Sequence, residues 1–194
     1  MLPRPLAAIG NYEGLTNVTT VIFILLLIHS QDISVRQPYH RIPKRIIDTL
    51  NLKYPGWRLA DNLGLLQLPE VKHHHSDTTA SFPNLVWGDF DNDRKTDYAL
   101  FLERTLTAGR KEERLIAFVA RSSCFEEHTL RTATEPVYIA NYIWLAKKGS
   151  QSYDFDTDRH FTLQSDGIDL IIIGKASELI QYKNGRFFTI TTSD

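Results

Sequence analysis

A single cysteine, Cys124, stands in the chain, so no internal disulfide can hold it together and a hydrophobic core has to do so. The segment around it, Arg121-Ser122-Ser123-Cys124-Phe125, matches no catalytic cysteine signature, and the expected role of Cys124 is that of a small buried residue between strands. Clustered positive charge is lacking too. No run of Lys or Arg exceeds two residues and the formal net charge is -1, which leaves no electrostatic footprint for nucleic acid or an anionic membrane. No apolar run reaches the roughly 20 residues that span a bilayer. A G-x-S-x-G elbow, a phosphate loop and a dinucleotide fingerprint are all missing. An enzyme is therefore the weaker expectation, because function must be argued from a site and none is assembled.

What is present is an ordinary globular composition, 42% hydrophobic and 23% charged over 194 residues, which suits one domain. The most hydrophobic stretch, Val21 to Ile28 (VIFILLLI), has the length of a signal-peptide core. Ser30 is a small residue fit to precede a cut, and Gln31-Asp32 restores polarity. The expectation is a leader over 1–30, a mature domain over 31–194 and a periplasmic or secreted destination, with no membrane span once the signal is removed. Arg4 is the only positive charge ahead of the apolar core, which departs from the usual pattern; the alternative readings are a buried core strand and an uncleaved anchor. No cysteine directly follows the run, so acylation is not indicated.

Within the mature region, Pro43 sits where a helix would begin, and Ile46, Ile47, Leu50 and Tyr54 recur at three- and four-residue spacing, one face of a short amphipathic helix. Tyr54-Pro55-Gly56-Trp57 ends it. Arg58 to Glu70 has room for one short strand, and Val71 to Ala80 reads as a polar loop. From Leu85 onward short apolar runs alternate with turn signals, the mark of antiparallel sheet. They are Tyr98 to Glu103, Leu115 to Ala120, Val137 to Lys147, His160 to Leu163, Ile168 to Ile173, Glu178 to Tyr182 and Arg186 to Thr192. Asn184-Gly185 between the last two predicts a closing hairpin. Tyr98 to Leu102 and Leu115 to Val119 are apolar on both faces and should be central strands, one side covered by the helix. The fold class expected is α+β: a mainly antiparallel sheet with one N-terminal helix packed on it.

The chemistry lies in Gly88-Asp89-Phe90-Asp91-Asn92-Asp93-Arg94-Lys95-Thr96-Asp97. Acidic residues at loop positions 1, 3, 5 and 9 follow the odd spacing by which one tight turn aims several oxygens at a hard cation, and Ca²⁺ suits it best because it accepts six to eight oxygens in flexible geometry. The alternative is an acidic turn without an ion. Trp87 to Leu102 (WGDFDNDRKTDYALFL) resembles the calcium loop of FG-GAP, or VCBS-type, repeats, in which Gly-Asp-x-Asp-x-Asp-Gly-x-x-Asp leads into an apolar strand. The resemblance implies Asp89, Asp91, Asp93 and Asp97 as side-chain ligands and the backbone carbonyl of Lys95 as another. It covers about 16 residues of the chain. Arg94 stands where the pattern has Gly, and only one good copy occurs, whereas such repeats build propellers by recurring. Tyr153 to Arg159 echoes the first three acidic positions and reads as a solvated turn. The order of the Tyr-Pro-Gly-Trp turn, the Gly-Asp-Phe-Asp loop and a terminal Gly-Arg-Phe hairpin resembles small exported bacterial domains.

His73-His74-His75 supplies imidazole, but consecutive side chains diverge and no zinc-like spacing completes a shell, so an exposed loop is expected. Glu103, Asp154, Asp156 and Glu178 are candidates for a glycan-hydrolysing pair only if two of them lie about 5–10 Å apart. Three functions follow in order. The first is an exported calcium-binding domain whose surface engages an extracytoplasmic protein or glycan; the second is a periplasmic inhibitor or immunity-type protein that plugs an enzyme; the third is an envelope hydrolase.

Overall fold

A computed structural model describes residues 38–68, 71, 81–107, 109–136 and 141–193. The expected leader, the three consecutive histidines and the first residues of the run from Val137 lie outside them. Helix α1 is Lys44–Lys53. The strands are β1 Arg58–Leu59, β2 Ser81–Phe82, β3 Leu85–Gly88, β4 Asp97–Thr105, β5 Arg110–Ala120 and β6 Phe125–Pro136, followed by β7 Asn141–Ala146, β8 Gln151–Asp154, β9 Arg159–Thr162, β10 Gly167–Ile172, β11 Ala176–Lys183 and β12 Arg186–Ser193. The described chain is thus mostly antiparallel β-sheet with one α-helix.

Sheet 1 has the order β2-β3-β4-β5-β6, with β1 also on β4; sheet 2 runs β12-β11-β10-β7; β8 and β9 form a hairpin. The two apolar runs are central because each has a core on both faces. Ala99, Phe101, Leu115 and Ala117 meet Ile143, Leu145, Ile168, Leu170 and Ile180 of sheet 2 in the main core. Their alternates Leu100, Leu102, Ile116 and Phe118 pack with Ile46 of α1, Ile42, Tyr54 and Leu59. The period of two along β4 and β5 therefore divides one apolar run between two cores. Each fully buried side chain of this size contributes about 1.5–3 kcal/mol.

Helix α1 begins where Pro43, with φ -55°, presets a helical entry without needing an N–H partner. It ends as the Tyr54 N–H donates to the Leu50 carbonyl at 2.8 Å and Gly56 turns the chain at φ +80°, which a glycine adopts without a Cβ clash. Ile46 is fully buried, whereas Leu52 on the opposite face is 81% exposed.

Several elements depart from the sequence reading. Strand β6, Phe125–Pro136, reads in sequence as polar (FEEHTLRTATEP). Among the described residues it is the sheet edge, paired only through β5, and an edge strand carries charge and Thr instead of an apolar stripe. Cys124 is exposed, not buried between strands, because it sits in the tight turn from β5 to β6, where the Arg121 N–H donates to its carbonyl at 2.8 Å. The one short strand expected between Arg58 and Glu70 is present as β1, and a 3-10 turn, Leu63–Gln67, follows it. Among the described residues no helix is long and apolar enough to cross a membrane.

Candidate metal centre

The aspartate loop joins β3 to β4 and is anchored from inside. Phe90 is fully buried in the main core, edge-on to Phe187 of β12 at 6.3 Å. Two residues take left-handed backbone, Asn92 at φ 63° and Arg94 at φ 68°. Asn tolerates this; Arg94 carries a Cβ at the position where the resembled pattern has Gly, at a cost on the order of 1–2 kcal/mol.

Within the loop the carboxylates organise backbone donors. Asp89 accepts from the N–H groups of Asp93 and Arg94, both at 2.9 Å. Asp91 accepts from Asp93 N–H at 3.2 Å, and Asp93 from Lys95 N–H at 2.9 Å. Asp97, fully buried, accepts from Phe90 N–H at 2.7 Å and from Ala120 N–H at 2.8 Å. It thereby ties the loop to the end of β5. Burial pushes the Asp97 carboxyl up to about 6, against the pull of those two N–H donors, and the charges of Asp91 and Asp93 add to the rise.

Oxygens of Asp89, Asp91 and Asp97 all lie within 4.8 Å of one another. Two oxygens sharing one Ca²⁺ at its usual ligand distance stand no more than about 5 Å apart, so three of the four expected carboxylates converge closely enough to share an ion. Asp93 stands outside that group. The Lys95 ammonium pairs with Asp93 at 2.5 Å, and this hydrogen bond holds the Asp93 carboxyl below its ordinary value and the Lys95 ammonium above its own.

Two participants have no mark in the loop's own sequence. Arg121, at the end of β5, donates from Nη1 to Asp91 Oδ2 at 2.5 Å and from Nη2 to Glu126 at 2.6 Å and to the Tyr182 hydroxyl at 2.9 Å. Desolvation opposes its charge, and the bonds to Glu126 and Asp91 more than offset that, so its pKa lies above the ordinary arginine value. Asp166, before β10, accepts from Asp89 N–H at 3.0 Å and from Lys148 N–H at 2.9 Å, while its own N–H donates to the Asp89 carbonyl at 3.2 Å. Gly88 makes this approach possible: a Cβ there would meet Asp166 Oδ2 at 2.8 Å and Leu145 at 2.9 Å.

The echo at Tyr153 to Arg159 is the exposed turn between β8 and β9, in which Asp154 accepts from the N–H groups of Asp156 and Thr157 at 3.1 and 3.2 Å. Family models, curated proteins and solved structures, compared with this chain, all return no match.

Proposed function

We propose that the chain is an exported α+β calcium-binding domain of FG-GAP-like loop type, in which Ca²⁺ joins Asp89, Asp91 and Asp97, and that it serves as a binding module, not an enzyme. The observation that carries this reading is the convergence of those three carboxylates within 4.8 Å. Fully ionised, they would repel one another; a divalent ion between them relieves that repulsion and favours the charged form of the buried Asp97. Arg121 already offsets part of the charge through Asp91, and Arg94 holds strained backbone. Both features argue for weak binding, of the class of extracellular modules with Kd about 10⁻⁴–10⁻³ M. A site that weak fills only where calcium is plentiful, which agrees with the export expected from Val21 to Ile28. An extracytoplasmic protein or glycan is the partner class that goes with that location.

Calorimetric titration of Ca²⁺ into the mature protein should give one saturable event, lost in Asp91→Ala. Sequencing the amino terminus of the protein recovered from expression of the full chain should show cleavage near Ser30. Heat flow identical in wild type and Asp91→Ala would remove the calcium reading, and an intact Met1 in the cytoplasm would remove the export reading.

A further inference from the structure

A second polar site lies on the far face of sheet 2. Along β10, Ile168 and Leu170 face the main core, so Asp169 and Ile171 point to the other face by strand alternation. Asp169 is registered against Trp144 of β7 and Leu179 of β11. Among the described residues nothing donates to its carboxylate and no charge acts on it; burial is the one influence, pushing its carboxyl up to about 6. Asp169 is half-buried, so its unpartnered carboxylate keeps only part of its hydration. It opens into a cavity of about 240 Å³ lined by Trp144, Ser152, Asp169, Ile171, Ser177 and Thr192. Those residues come from five strands, β7, β8, β10, β11 and β12. The hydroxyls are mutually positioned: Ser177 Oγ lies 2.8 Å from Thr192 Oγ1 and 2.7 Å from Ser193 Oγ.

We propose that this cavity binds a primary alkylammonium group, with Asp169 as its counter-ion. An anion is excluded by the charge of Asp169. A water takes about 30 Å³, so the cavity has room for several heavy atoms, more than a solvent molecule needs. A hard metal ion requires six or more oxygens and several charges, and here a single carboxylate stands among neutral hydroxyls. A neutral polyol would leave the carboxylate charge uncompensated. A guanidinium is a planar fork suited to a bidentate carboxylate face, whereas an ammonium is a compact charge with three divergent donors. Divergent donors match one carboxylate plus hydroxyl oxygens contributed from separate strands, each hydroxyl keeping a lone pair for a further donor. The aliphatic stem would lie along Ile171. The ammonium has two sources, a free alkylamine and a lysine side chain offered by a partner.

The test titrates n-butylammonium chloride into the full-length protein and follows backbone amide resonances of Ser152, Asp169 and Ser177, with sodium chloride at matched ionic strength as reference. The expected result is saturable shifts confined to these residues. In Asp169→Asn, which keeps side-chain shape and removes the charge, the midpoint should move at least tenfold while the melting temperature stays equal or rises. Ser177→Ala should weaken binding several-fold. N-acetyl-lysine methylamide, run in parallel, separates the sources: tighter binding than butylammonium marks a presented lysine, and weaker binding marks a free amine. Shifts reproduced by sodium chloride, absent in wild type or unchanged in Asp169→Asn would overturn the proposal.

Discussion

At the scale of single residues, Asp97 sets the pH behaviour of the loop. Its folded-state pKa of about 6 lies above the value near 3.9 of an unfolded chain, so the native state binds the extra proton. Its contribution is therefore most favourable below about pH 4 and is lost as pH rises through 6, by about 3 kcal/mol at one pK unit to 1.4 kcal/mol. Calcium competes with that proton. The calcium-dependent gain in stability should accordingly be small at pH 5 and grow to its full size above pH 7, as read by urea denaturation with Ca²⁺ and with chelator. Arg121 acts in the opposite sense to the ion. In Arg121→Gln, Asp91 loses a half-buried, charged hydrogen-bond partner, and stability in chelator should fall by about 1–2 kcal/mol. The calcium-dependent gain should rise, because one resident cation no longer competes; a gain smaller than wild type would show that Arg121 supports the ion instead of replacing it.

At the scale of elements, the helix is held by one deeply buried side chain. Ile46→Ala should cost about 2–4 kcal/mol in denaturant unfolding, whereas Leu52→Ala, at an 81% exposed position, should stay within about 0.5 kcal/mol. Equal effects would mean that α1 does not dock through the Ile46 face. Elements were legible where apolar periodicity announces them. The runs in β4 and β5 are apolar on both faces, and that pattern has few solutions besides a central strand. Strand β6 was not legible, because an edge strand with Glu126, Glu127, Arg131 and Glu135 shows the composition of a loop, and only its pairing with β5 reveals it. The exposure of Cys124 is hidden for a related reason: the turn that exposes it exists only because β6 pairs with β5. In the loop, odd spacing picks out four aspartates; the oxygens of Asp89, Asp91 and Asp97 lie within 4.8 Å of one another, and Asp93 pairs with Lys95, a difference that spacing does not show. Arg121 and Asp166 lie 30 and 77 residues from their loop partners, and no local pattern could have named them.

At the scale of the whole molecule, the loop is one of the places where the two sheets are tied. Asp89 and Asp166 exchange backbone-directed hydrogen bonds between the β3–β4 loop and the start of β10. Asp97 holds the end of β5, Phe90 sits in the intersheet core, and Arg121 reaches Tyr182 of sheet 2. An ion held by Asp89, Asp91 and Asp97 would thus reinforce the joint between layers, and its effect should appear in global unfolding, not as a local stiffening. Binding to the native state alone adds RT ln(1 + [L]/Kd), about 2.7 kcal/mol at one hundred times Kd. Arg94→Gly should enlarge the gain by relieving the φ 68° backbone and removing a positive charge, and Asp91→Ala should abolish it.

The most direct measurement is the melting temperature of the mature protein at neutral pH with millimolar Ca²⁺ and with chelator, for wild type, Arg94→Gly and Asp91→Ala. The expected result is a single transition raised by calcium in wild type, raised further in Arg94→Gly and unmoved in Asp91→Ala. Equal melting temperatures with and without calcium in both wild type and Arg94→Gly would contradict it, and would make Asp89 to Asp97 a solvated acidic turn.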